Sequence, residues 1–130
     1  MPGGSALSRR AGLDIERAVR LAEQMTGLRF SVYVGPLGPT PRARAEQLHA
    51  MLGVDAPHAV LVAVDPLGHA IEIVTGPVAA RRLSDADAVL ATVTMTNSFA
   101  IGDLVGGVTD GLRSLAEHTS PARVAGAIPS

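Results

Sequence analysis

The run Ala59-Val60-Leu61-Val62-Ala63-Val64 constrains this chain more than any other feature. It offers an apolar side chain at every position, so as a strand it is apolar on both faces. Such a strand suits the centre of a sheet with helices covering each side. Asp65-Pro66-Leu67-Gly68 then reads as a turn, because Asp, Pro and Gly each favour a bend for their own backbone reason. Residues 69–75 alternate, with Ile71 and Ile73 on one face and Ala70, Glu72 and Val74 on the other. The two segments predict an antiparallel hairpin, closed by Gly76-Pro77.

The rest of the chain supplies the cover. Ile15, Ala18, Val19, Ala22 and Met25 recur at helical spacing over residues 14–26, with Asp14 as the cap and Gly27 as the stop. Residues 28–34 alternate as a strand, with Phe30, Val32 and Val34 on one face. A second helix opens at Thr40-Pro41, carries Ala45, Leu48 and Leu52, and ends at Gly53. Strand, helix, strand in that order implies a right-handed parallel crossover. After the hairpin, Ser84-Asp85-Ala86-Asp87 resembles a capping box. The helix it opens is expected to bury Val89, Val93 and Thr96, with Leu90 beside them. The last helix, residues 103–118, is expected to bury Leu104, Val105, Val108, Leu112 and Leu115. Its Gly106, Gly107 and Gly111 each weaken it by roughly 1 kcal/mol, which predicts close approach to a sheet or a second helix. The fold class is therefore α/β: a small mixed β-sheet covered by helices on both faces, in the order α-β-α-β-β-α-α. Residues 1–12 and 119–130 read as flexible segments around one domain at residues 13–118.

Composition removes several chemistries. All eleven basic residues are arginine, so Schiff-base and P-loop lysine chemistry lack their residue. There is no cysteine, which removes disulfides, thiolate metal sites and cysteine nucleophiles. Twelve acidic residues balance the arginines to a net charge of -1, and no basic block stands out, so nucleic acid is not an expected partner. Two Phe, one Tyr and no Trp make stacking platforms for bases improbable. No apolar stretch approaches the ~20 residues of a membrane span, and residues 1–12 lack the apolar core of a signal peptide. Membrane insertion is not expected, and a cytoplasmic location is.

The candidate chemistry is sparse. Asp65, Asp85, Asp87 and Asp103 fall at a strand end or at helix starts, where carboxylates cap and turn. Grouped together, such oxygens would hold Ca²⁺ or Mg²⁺. Arg81 and Arg82 stand close by in sequence, able to neutralise those acids or to receive an anionic ligand. Glu46-x-x-His49 has the spacing of half a di-metal site, but no second copy or further helical glutamates complete it. There is no G-x-S-x-G elbow and no Walker or dinucleotide fingerprint.

A resemblance rests on several features in order: Thr26-Gly27-Leu28 before the first strand, Ala59 to Asp65, Ile71 to Gly76, then Phe99, Gly102-Asp103 and the glycines of the last helix. In these residues the chain resembles the TPM domain family, most nearly a compact, uncharacterised actinobacterial branch. The resemblance implies a small mixed sheet between helices. Some relatives are assigned phosphatase activity or hold divalent metal through acidic side chains near the hairpin end. The family commonly follows the hairpin with Gly-Tyr-Gly-Leu-Glu; here Thr75-Gly76-Pro77-Val78-Ala79 lacks the tyrosine and the glutamate. The reading is therefore a non-catalytic binding or assembly module with no cofactor expected, taking a protein partner or a second copy of itself. The alternatives are a metal-dependent phosphatase-like hydrolase on Asp65, Asp87 and Asp103, using Mg²⁺ or Ca²⁺, and a small anionic-ligand domain with its pocket at the carboxyl end of the parallel strands, near Gly35 and Asp65, using Arg81 and Arg82.

Overall fold

A computed structural model describes residues 8–121. The elements are α1 (Arg9–Thr26), β1 (Arg29–Val34), α2 (Pro41–Ala50), a 3-10 turn at Gly53–His58, β2 (Ala59–Asp65), β3 (Ala70–Thr75), α3 (Pro77–Ala80), α4 (Asp85–Ala100) and α5 (Leu104–His118). The strand with no polar face takes the middle of a three-stranded sheet ordered β1-β2-β3. β1 runs parallel to β2, from Arg29↔Ala59 to Val34↔Val64. β3 runs antiparallel, from Val60↔Thr75 to Asp65↔Ala70.

Both faces of β2 are buried, and they meet different partners. Val60, Val62 and Val64, flanked by Phe30 and Ile73, pack against Ile15, Ala22, Met95, Val108, Leu112 and Leu115 from α1, α4 and α5. Leu61 and Ala63 point the other way and, with Val74, pack under Leu37 and Ala45. Three long helices thus cover one face and α2 covers the other. His49 ties α2 down: its buried ring Nε2 donates to the Ala59 carbonyl at 3.1 Å.

A sheet this narrow has two edges for one interior strand. Each edge carries a long charged side chain on its backbone. The Glu23 carboxylate accepts the Phe30 N–H of β1 at 3.0 Å. The Arg42 guanidinium donates to the Ile73 carbonyl of β3 at 2.7 Å and sits 3.5 Å from Glu72. Charged side chains at exposed edges hinder pairing with another chain.

Several local expectations change. α1 begins at Arg9, not Asp14, because Ser8 supplies the cap and accepts the Ala11 N–H. Asp14 instead pairs with Arg17 one turn on. Residues 9–12, read as part of a flexible segment, are therefore helical, while residues 1–7 and 122–130 lie outside the described residues. The start of the C-terminal segment is tied, since the Ser120 N–H donates to the Arg82 carbonyl. Pro41 does open α2, but the Thr40 side chain makes no capping bond. The 3-10 turn and α3 had no periodic signal, being too short to show one.

The largest correction concerns α4. The stripe expected in the core, Val89, Val93 and Thr96 with Leu90, faces solvent, with Val89 62%, Leu90 46% and Val93 49% exposed. Ala91 and Met95 are buried instead, with Ala88 and Phe99 packed beside them. The reason lies on α5. Gly107 and Gly111 open sockets there: a Cβ on Gly107 would lie 2.5 Å from the Phe99 ring, and one on Gly111 would lie 2.7 Å from Met95 Cγ. The glycines of α5 thus receive the side chains of α4.

Those sockets make an ordinarily stabilising change harmful. Gly→Ala in an open helix gains about 1 kcal/mol. Gly111→Ala would press on fully buried Met95 and is expected to lower stability by about 1–3 kcal/mol, measured by urea unfolding. A gain in stability would mean that the two helices are not closely seated.

Candidate functional site

The carboxyl end of β2 is where the crossover and the hairpin diverge, and Asp65 stands there. Its Oδ2 accepts the Leu37 N–H at 2.9 Å, and its Oδ1 accepts the Gly68 N–H at 2.9 Å. One side chain thereby fastens the β1–α2 loop to the hairpin turn. These bonds hold the Asp65 carboxyl below the usual carboxylate range. Leu37 contributes most, then Gly68; partial burial opposes them, and the Leu67 N–H and the charge of His69 add smaller help. His69, next in the turn, is the one non-glycine among the described residues with positive φ, at 55°.

Beside this turn the sheet and α4 part to leave a cleft of about 490 Å³. Its walls are Pro66, Ala70 and Ile71 on the hairpin side, and Thr96, Phe99 and Ala100 on α4, with Leu104 at the start of α5. Asp65 and His69 are the titratable side chains lining it. Asp103 lies between two lining residues, Gly102 and Leu104. It caps α5, accepting the Gly106 N–H at 2.9 Å.

Asp87 is elsewhere. It completes the capping box of α4, taking the Ser84 N–H at 3.1 Å while Ser84 Oγ takes the Asp87 N–H. The Ser84 backbone and hydroxyl, aided by the charge of His118 against some burial, keep its carboxyl below the usual range. A sixteen-residue helix separates it from the Asp103 end by about 24 Å. Asp65, Asp87 and Asp103 therefore do not converge. Among the described residues no group of three or more His, Asp or Glu side chains could hold a metal ion. Sequence alone groups these acids because each stands at the end of a strand or the start of a helix; it does not show at which end of the fold each of those boundaries lies.

The arginines sit at the far end from the cleft. Arg82 is a clamp: its guanidinium donates to the Thr26 carbonyl at 2.7 Å and to the Ser120 carbonyl at 2.8 Å. It joins the end of α1 to the end of α5. Arg81 is exposed at the end of α3. His49 of the Glu46-x-x-His49 pair is spent on β2, as described above. The sequence places a pocket at the carboxyl ends of the parallel strands, near Gly35 and Asp65; the cleft is lined by Asp65 but not by Gly35, and its apolar wall of Phe99 and Leu104 has no sequence signal beyond the Gly102-Asp103 break.

A family described as a domain of unknown function, DUF5130, matches residues 5–116. The chain belongs to that family. It is 33% identical over 109 residues to an uncharacterised Mycobacterium tuberculosis protein, Rv2468c, covering 82% of this chain and 64% of that protein. The DUF5130 chain thus spans less than two-thirds of the relative's length. The solved structure of the BA42 protein from Bizionia argentinensis superposes with a TM-score of 0.77 at 20% identity, over 92% of this chain and 88% of that one. The N-terminal domain of cg2496 from Corynebacterium glutamicum gives 0.72 at 15% identity, over 96% and 82%. At these identities the solved structures share a fold with this DUF5130 domain. Among the described residues no helix is long and apolar enough to cross a membrane.

Two outcomes follow from the bonds at Asp65 and Arg82. A carboxyl held below its unfolded value of about 3.9 binds its proton more readily when unfolded. Its contribution to stability is full above that value and is lost as pH falls through the lower folded value. The unfolding free energy should thus decline as pH falls below about 4, and Asp65→Asn should flatten that decline. An unchanged slope would mean the two N–H bonds do not form. Arg82→Met should cost about 1–2 kcal/mol, and Arg82→Lys should not restore it, since a point charge cannot reach two carbonyls as a fork does. Full rescue by lysine would contradict the clamp.

Proposed function

We propose that this domain is a non-catalytic binding module of TPM-like build, and that it receives an apolar group of a protein partner in the cleft between the hairpin turn and α4. The observation that carries this reading is the cleft's chemistry. Ile71, Phe99 and Leu104 give it apolar walls, and the carboxylate that lines it already accepts two backbone N–H groups. A general acid or base needs a pKa near working pH, whereas Asp65 is pushed the other way. Cleft and convergent polar rim are the usual marks of a binding site. Asp65 is the carboxylate in its lining, which favours a neutral or positively charged group next to the apolar one.

The alternatives have weaker support. A metal-dependent hydrolase on Asp65, Asp87 and Asp103 would need carboxylates that stand at opposite ends of α4 to act together. An anion site at Arg81 and Arg82 would use a guanidinium already engaged with two carbonyls. The TPM-like part of the reading is supported by Thr26-Gly27 at the end of α1, by the hairpin, and by the glycines of α5 at the α4 contact.

The test is a nitrogen-15 NMR titration with blocked dipeptides, Leu-Lys and Leu-Asp, at millimolar concentration. Shifts should be confined to residues 65–71 and 96–104, larger for Leu-Lys. Phe99→Leu, which removes an aromatic wall and keeps an apolar side chain, should weaken them severalfold. Shifts elsewhere, or turnover of p-nitrophenyl phosphate that Asp65→Asn abolishes, would contradict the proposal.

A further inference from the structure

The cleft opens onto an edge of the sheet. Along β3 the hydrogen bonding alternates, so every second residue turns its N–H and C=O away from β2. Two bonds fix which residues those are. Gly76, just past β3, donates its N–H to the Ala59 carbonyl at 2.9 Å, so the residues in step with it, Val74, Glu72 and Ala70, face β2. The Ile73 carbonyl takes the Arg42 guanidinium from outside, so Ile73 and Ile71 face outward. Arg42 thus closes this edge at the Ile73 carbonyl, as Glu23 closes the other at the Phe30 N–H. At Ile71 neither the N–H nor the C=O has a hydrogen-bond partner among the described residues. Ile71 is half-buried and lines the cleft.

The helices above leave room beside it. α5 lies between α1 and α4, with α1 against β1 and α4 against β3. Three helix axes 8–10 Å apart span roughly 16–20 Å, whereas three strands span only about 10 Å. The helical layer is wider than the sheet, so a fourth strand beside β3 would still lie under α4.

We infer that the cleft takes an extended segment of the protein partner, added to β3 as an antiparallel strand at Ile71. This rests on the cleft reading above and supplies the backbone that carries the apolar group. An antiparallel strand meets both open groups through a single residue, which exchanges N–H and C=O bonds with Ile71. The pleat puts that residue's side chain on the same face as Ile71, towards Phe99 in the cleft. The next residue of the segment lies opposite Ala70, on the sheet face shared by Ala63 and Asp65. Ala70 carries only a methyl group, so a lysine there can extend across it to the Asp65 carboxylate. The segment is therefore apolar and then basic in chain order. Main-chain bonds supply affinity in such an addition, and alternate side chains supply specificity. Arg42 at Ile73 keeps the pairing short and the affinity modest.

The probe is acetyl-Val-Leu-Lys-Val-amide, with two N-methylated versions. Methylation at the leucine nitrogen removes the N–H that donates to the Ile71 carbonyl and keeps every side chain. Methylation at the lysine nitrogen removes an N–H that points away from β3. In nitrogen-15 NMR the parent peptide should shift residues 65–71 and 96–104. The leucine-methylated peptide should bind roughly tenfold more weakly, and the lysine-methylated one about as well as the parent. With the parent at about ten times its Kd, exchange of the Ile71 N–H with deuterium should slow by about tenfold, since only the free protein exposes it. Equal binding of the two methylated peptides, or an Ile71 N–H whose exchange the parent does not slow, would overturn strand addition; shifts that remain at the cleft would then leave the cleft reading standing. Shifts at neither segment with any of the peptides would overturn both.

Discussion

Everything in this domain answers to β2. A strand apolar on both faces is stable only when both faces are dry, and here it has just one strand on each side of it. The cover therefore has to come from helices, and the two faces recruit unequal numbers. The valine face gathers α1, α4 and α5, while the Leu61 and Ala63 face is closed by α2 with Leu37 and Val74. Full burial of each valine or leucine is worth roughly 1.5–3 kcal/mol, so a polar substitution in β2 would remove a large share of the typical 5–15 kcal/mol that holds a domain together.

The polar groups then serve this core. Glu23 and Arg42 occupy the two sheet edges, His49 pins α2 to the first residue of β2, and Arg82 draws the ends of α1 and α5 together. Asp65 fastens two loops, and Asp87 and Asp103 start the last two long helices. Charged side chains that bond to backbone in this way are committed before any ligand arrives. The cleft next to Asp65 is the opposite kind of feature, an apolar opening between elements that no side chain fills.

The strands and the hairpin were legible because period-two alternation and the Asp-Pro-Leu-Gly turn are local signals. So were the Ser84 capping box, the Gly27 stop and the need for the α5 glycines to face something close. The start of α1 was obscured by Gly12, whose cost hides the Ser8 cap behind it. The facing of α4 could not be read at all locally. A helix apolar on both sides gives no amphipathic stripe, and the choice between its faces was made by the shape of α5, where Gly107 and Gly111 admit Phe99 and Met95. The acidic set does not come together for a related reason: sequence shows that each aspartate stands at an element boundary, while only the direction of α4 shows that Asp87 lies at the other end from Asp103.

Asp65, Asp87 and Asp103 each hold backbone N–H groups, an arrangement that needs no bound cation. Thermal unfolding is the decisive measurement, first after EDTA treatment and then with Mg²⁺, Ca²⁺, Mn²⁺ or Zn²⁺ added separately. None of these ions is expected to move the midpoint. A rise of roughly 5–10 °C with one ion, the size expected for saturating binding in a domain of this length, and its disappearance in Asp65→Asn, would contradict it.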